Sequence, residues 1–335
     1  MKNHLLKNPF DSFVRLVFLS IFFLVASNAS AENRHALVIG NSEYGSGHEL
    51  INPKNDALAI ADKLRTIGYT VHTGQALLDL ELEEFHSALN KFLGAVQDGD
   101  SVLVYYAGHG TASLGTNFLI PILPDGVKLR SESDIRNHSV SIEGILERVE
   151  FKNPNGVNVF FFDACRDAPI ENFSRSINMT GLTELDSRRQ PHGSFIGFST
   201  EYGSIATDGV ADGHSPFAEA MLNNLDSRAG LPIELFYKSV GDDVFSATSG
   251  KQFPIQEPKI RGEFCIGPCL SVTALTERST VVDQEPVIQP EKKGNFLVKA
   301  VGVAAAVLVT GYLLSQRDSE DSDDGFPITL TLPPQ

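Results

Sequence analysis

Five runs of the chain are largely apolar and strand-like: His35–Gly40, Tyr69–Thr73, Ser101–Tyr106, Val157–Phe162 and Ser194–Ser199. Between them apolar residues recur at helical spacing near 55–67, 80–96, 141–150 and 215–226. This alternation predicts an α/β sandwich around a mostly parallel sheet, with ligand chemistry gathered at the C-terminal strand ends. No internal repeat is visible.

The ends of the chain follow other patterns. Residues 1–31 carry Lys2, Lys7 and Arg15, then an apolar run from Leu16 to Ala26, then Ala29-Ser-Ala31. That order is the order of a secretory signal peptide, with an uncleaved anchor as the alternative. The expected location is therefore outside the cytoplasm, periplasmic or envelope-associated. Residues 32–270 form the expected folded domain, and 271–295, with few large apolar residues, read as a linker. Residues 296–315 are apolar apart from Lys299 and read as either a short transmembrane helix or a small-residue helix packed on protein. Lys292, Lys293 and Lys299 precede this segment, a placement that opposes an exported domain under the positive-inside tendency. Residues 316–335 begin with an acidic run and finish in a strand-like alternation.

Composition narrows the function classes. The 335 residues carry 27 Lys+Arg against 42 Asp+Glu, a formal charge of -15, and no local basic face, so a nucleic-acid partner is excluded and basic partners fit better. Three cysteines are too few and too dispersed for a zinc site. The glycine-rich stretch Gly40–Gly47 matches neither phosphate-binding fingerprint, and no G-x-S-x-G elbow of a serine hydrolase occurs.

Chemistry stands at two strand ends. The third apolar run leads into Gly108-His109-Gly110 and the fourth into Asp163-Ala-Cys165. In a parallel sheet both would emerge on one edge, the arrangement that a Cys/His nucleophilic pair requires. Cys165 would attack a carbonyl carbon as the thiolate, and His109 would take its proton and later protonate the leaving amine. The backbone N–H groups of Gly110 and Cys165 would serve the oxyanion. Taken singly, Cys165 fits a small buried hydrophobe and His109 a turn residue. Their joint placement favours catalysis.

Tyr106-Ala-Gly-His-Gly110 and Asp163-Ala-Cys-Arg166 resemble the two signature motifs of caspase-like cysteine peptidases, family C14, and of their bacterial metacaspase-like branch in particular. Ala36–Asn41 with Tyr44, Asn55-Asp56-Ala57, Asn117–Pro121, Phe198-Ser-Thr with Gly203–Ala206, Ser215-Pro-Phe217 and Gln252-Phe-Pro254 follow in the same order, over about 34–262. The resemblance implies a caspase-like α/β/α sandwich with a large part to about residue 193 and a small part from about 194. It implies a Cys165/His109 dyad cleaving polypeptides after Arg or Lys, with Asp56 and Asp163 supplying an acidic substrate pocket. Each also fits a plainer role, Asp56 as a charge at a helix N-terminus and Asp163 as a turn former at a strand end.

The pattern departs from the family in places. Calcium-dependent metacaspases carry acidic residues in the loop after the histidine, whereas Thr111–Asn117 has none, so calcium dependence is not expected and no other cofactor is. The polar loop 167–192 offers Arg175, Arg188 and Arg189 as self-cleavage points, with a plain surface loop as the alternative. Cys265 and Cys269 flank Ile-Gly-Pro, and an exported protein would close them into a disulfide, leaving Cys165 free. The competing reading is a catalytically silent caspase-like scaffold tethered at the envelope. Oligomeric state is not encoded in any of these patterns.

Overall fold

The computed structural model describes residues 33–45, 47–164, 181–188 and 190–270. The expected signal peptide, linker, transmembrane segment and acidic tail lie outside the described residues, as do Cys165, Arg175 and Arg189. The described residues all fall within one compact unit, residues 1–280, and a second unit, 281–335, is outside them.

The long apolar runs become strands β1 (Arg34–Gly40), β4 (Ser101–Ala107), β8 (Val157–Asp163) and β9 (Ser194–Phe198). Short strands β2 (Thr70–Val71) and β3 (Leu77–Leu78) flank β1, and β10 (Ile255–Pro258) closes the other side. Among the described residues these make a seven-stranded sheet in the order β10-β9-β8-β4-β1-β2, with β3 also on β1; β10 alone runs antiparallel. The strand expected over Tyr69–Thr73 is interrupted. A 3₁₀ turn at His72–Gly74, with Thr73 at φ 59°, lifts the chain off the sheet before β3 returns to it.

Helices cover both faces. Helix α1 (Pro53–Thr66), α5 (Pro216–Ser227) and α6 (Ile233–Ala247) pack on one face; α2 (Leu82–Ala95) and α4 (Ile142–Lys152) pack on the other, and α3 (Glu132–His138) precedes α4. Consecutive strand residues point to opposite faces, so each central strand feeds two cores. Ala36, Val38, Leu103, Tyr105, Val159 and Phe161 join the first, and Leu37, Ile39, Val104, Tyr106, Phe160 and Phe162 the second. Burial on both faces is why these strands read as unbroken apolar runs.

Two local features shape the C-terminal edge of the sheet. Gly40 ends β1 where a Cβ would stand 2.3 Å from the Pro53 carbonyl oxygen and 2.6 Å from Ala57 Cβ, so only glycine lets α1 start this close to the sheet. Thr111–Asn117, expected as a loop, is a tight hairpin between β5 (Gly110–Ser113) and β6 (Thr116–Leu119). Leu114 and Gly115 both take positive φ at its tip, the two-residue turn that matches strand twist. A two-residue strand, β7 (Val140–Ser141), pairs with β6 and completes this small sheet.

Candidate active site

Strands β4 and β8 pair in parallel, with Ala107 opposite Asp163. In the sequence His109 stands two residues beyond Ala107 and Cys165 two beyond Asp163, and the register ends both strands at one level of the sheet edge. The Gly108 N–H donates to the Asp163 carbonyl at 3.1 Å, which continues the pairing past the last strand residue. Cys165 itself is outside the described residues. Its predecessor Ala164 is fully buried, and its carbonyl oxygen would lie 2.2 Å from a Cβ at Gly110, so the two strand ends touch where glycine leaves room.

His109 is held from three sides. Its N–H donates to Tyr44 Oη at 2.9 Å. Tyr106 Oη lies 3.1 Å from the His109 carbonyl oxygen and 2.7 Å from that of Ile120, which Tyr44 Oη also reaches at 3.0 Å. The Tyr44 ring meets the imidazole edge-on, with centroids 4.4 Å apart. Finally, His109 Nε2 lies 2.8 Å from the His48 carbonyl oxygen. A carbonyl only accepts, so Nε2 carries the proton and, in the neutral ring, Nδ1 is the basic nitrogen.

The loop that supplies Tyr44 and His48 is itself anchored. Asp79 accepts the N–H groups of Ser42 and Glu43 at 2.7 and 3.0 Å and pairs with Lys54 at 2.8 Å. Burial opposes the Asp79 charge, but Lys54 and the two amides outweigh it and hold the carboxyl below its usual range.

Gly110 opposes Leu119 in the hairpin, and the His109 carbonyl accepts from the Ile120 N–H at 2.9 Å. In that register Gly110 belongs to a non-hydrogen-bonded pair, so its N–H points away from β6.

Asp56 and Asp163 come together through a residue that is not among the expected site residues. Ser215, the N-cap of α5, donates its N–H to both Asp56 oxygens at 3.3 Å and its Oγ–H to Asp163 Oδ2 at 2.6 Å, while its Oγ accepts from the Ala218 N–H. His214 Nδ1 lies 2.8 Å from Asp56 Oδ1. Asp56, which stands in the first turn of α1 as the plainer reading expects, also looks across to α5. Ser215 belongs to one of the family-like motifs, and its serine-proline pair is a readable N-cap signal. His214 has no such signal, and the role of His48 rests on a main-chain atom that no side chain announces.

The remaining expected residues lie apart from this cluster. Arg188 is exposed and pairs with Asp186 through Nε and a terminal nitrogen at 3.2 and 3.1 Å. Cys265 and Cys269 are joined as a disulfide, with Cα atoms 5.3 Å apart. The one group of three metal-ligating side chains found among the described residues, Glu263, Cys265 and Cys269, has both its thiols committed to that bond. No helix among the described residues is long and apolar enough to cross a membrane.

An α/β/α sandwich in which a histidine follows one central strand and a cysteine follows its parallel neighbour defines the caspase-like class. The chain belongs to the caspase-domain family of peptidases, C14, whose sequence profile matches residues 33–265. Caspase-1 from Spodoptera frugiperda has the same fold, with a TM-score of 0.51 at 18% identity over 72% of this chain and 92% of that one. By sequence, the mucosa-associated lymphoid tissue lymphoma translocation protein 1 of Homo sapiens is 33% identical over 136 residues, 41% of this chain and 15% of the human protein. The paracaspase of Dictyostelium discoideum is 26% identical over 212 residues, 59% of this chain and 45% of that protein. The match therefore spans less than half the length of either relative.

Proposed function

We propose that the chain is an endopeptidase of the metacaspase-like branch that cleaves after Arg or Lys, with Cys165 as nucleophile and His109 as its acid-base partner. The observation that supports this is the β4–β8 register, which pairs Ala107 with Asp163, the residues two positions before His109 and Cys165 in the sequence. His48 fixes the tautomer, so Nδ1 of His109 takes the thiol proton. The thiolate adds to the scissile carbonyl carbon, and the N–H groups of Gly110 and Cys165 stabilise the negative oxygen. The imidazolium returns its proton to the leaving amine as the C–N bond breaks, leaving a thioester. Water, deprotonated by the same histidine, hydrolyses it and regenerates the thiol.

The acidic cluster of Asp56 and Asp163 supports basic-residue selection, since carboxylates in a desolvated pocket favour guanidinium or ammonium. No cofactor enters the reaction, calcium included. Export by residues 1–31, envelope anchoring by 296–315 and self-cleavage at Arg175, Arg188 or Arg189 complete the proposal; cell fractionation and the N-terminal sequence of the mature chain test them. Its central test is cleavage of matched fluorogenic peptides ending in Arg, Lys or Asp, with calcium or with chelator, by the full chain and its Cys165→Ala variant. Cleavage after Arg and Lys in chelator, abolished in the variant, is the expected result. Folded protein that cuts none of them would instead be the silent scaffold.

A further inference from the structure

The acidic cluster meets solvent through a histidine. Asp56, Asp163 and Ser215 are each 0% exposed, whereas the His214 side chain is 30% exposed. The Nδ1 of His214 faces the buried Asp56 Oδ1 at 2.8 Å, which leaves Nε2 as the second nitrogen of a partly exposed side chain. That nitrogen makes no hydrogen bond among the described residues. Because a carboxylate only accepts, Nδ1 carries the proton of the neutral ring and Nε2 presents a lone pair.

We propose that His214 is the specificity-determining residue of the basic-residue pocket, its Nε2 accepting an N–H of the substrate's guanidinium or ammonium group while Asp56 holds the ring from behind. This inference rests on the basic-residue preference proposed above and adds the atom that reads it. The carboxylate at Nδ1 polarises the imidazole and strengthens the outward acceptor, as carboxylates do for metal-bound histidines. The buried charges thereby act on substrate through the ring without being uncovered.

The ring stands over acidic groups, Asp56 on α1 and, behind Ser215, Asp163 at the end of β8.

The experiment uses the full chain and three variants. His214→Ala removes both ring nitrogens; His214→Asn keeps a donor for Asp56 and loses the outward acceptor; His214→Gln places an amide acceptor near the Nε2 position. With Arg-terminated peptides, His214→Ala and His214→Asn are each expected to raise KM about tenfold with kcat nearly unchanged. His214→Gln, which keeps an acceptor there, is expected to recover most of the wild-type KM. Restoration of wild-type KM by His214→Asn would reduce His214 to a support for Asp56 and overturn the proposal, as would a KM of His214→Gln as high as that of His214→Ala.

Calorimetric titration of agmatine into Cys165→Ala protein, with and without His214→Ala, separates this inference from the peptidase reading. Weakening of agmatine binding by His214→Ala supports the role of His214 even if no peptide is cut. Equal binding, or none to the parent, overturns it, and Arg-peptide cleavage would then stand by itself.

Discussion

His109 owes its tautomer to the carbonyl oxygen of His48 and its position to the hydroxyl of Tyr44. The Tyr44 hydroxyl accepts the His109 N–H in a buried setting, so its removal leaves that donor unsatisfied. Tyr44→Phe is expected to cost about 1–3 kcal/mol of stability and to lower kcat roughly tenfold through misplacement of the ring; thermal unfolding and peptide kinetics check the two effects separately. At this scale the sequence yields the side chains proposed to do the chemistry and misses what orients them. His109, Gly110, Cys165, Asp56 and Asp163 announce themselves by type and neighbours. The His48 carbonyl and the His214 ring do not, because their proposed roles come from where the β1–α1 loop and the loop before α5 fold back.

At the scale of elements, the strands buried on both faces are readable, since their apolar runs are a direct consequence of two cores. Edge elements are not. Strand β10 is four residues of mixed polarity, and its antiparallel direction is set by pairing with β9. Helix α6 does carry a legible stripe of Ile233, Phe236, Tyr237, Val240 and Val244, although the helices expected from periodicity stop at residue 226. One consequence of the edge lies in Glu257 on β10, whose carboxylate is met by the Tyr202 hydroxyl and, at 3.5 Å, by the Leu185 N–H. Burial, opposed by the Leu185 N–H and Lys259 and aided by Glu184, pushes its pKa from 4.5 up to about 7. A carboxyl whose folded pKa is raised stabilises fully below about pH 4.5 and loses that contribution as pH rises through about 7. Glu257→Gln is expected to flatten the dependence of Tm on pH over this window and to exceed wild type at pH 8, which a series of thermal melts measures.

For the described residues as a whole, cohesion comes from contacts that join the start of the domain to its end. The disulfide segment runs back to the N-terminal strand, where the Arg34 guanidinium meets the Ile266 carbonyl. Pro232 bridges to Cys265, and the Gly267 N–H donates to Ala229 at 2.7 Å. Replacing both Cys265 and Cys269 by Ala is expected to cost up to about 2 kcal/mol by loop-closure entropy, a Tm loss of several degrees, with kcat/KM unchanged; melts with and without reductant provide the check.

The segment Gly181–Arg188 has its own hold on this body. Leu182 and Leu185 are buried in the second core, and Asn117 and Thr183 exchange two hydrogen bonds of 2.8 Å. Strand β9 then lies parallel on β8 from Asn158–Ser194 to Phe162–Phe198. A backbone cut anywhere between residues 165 and 180 is therefore expected to give two fragments on a denaturing gel and one species on gel filtration. On that expectation, covalent continuity between β8 and β9 is dispensable for cohesion once the domain has folded. The halves should be separable as genes and reassemble as a heterodimer when expressed together.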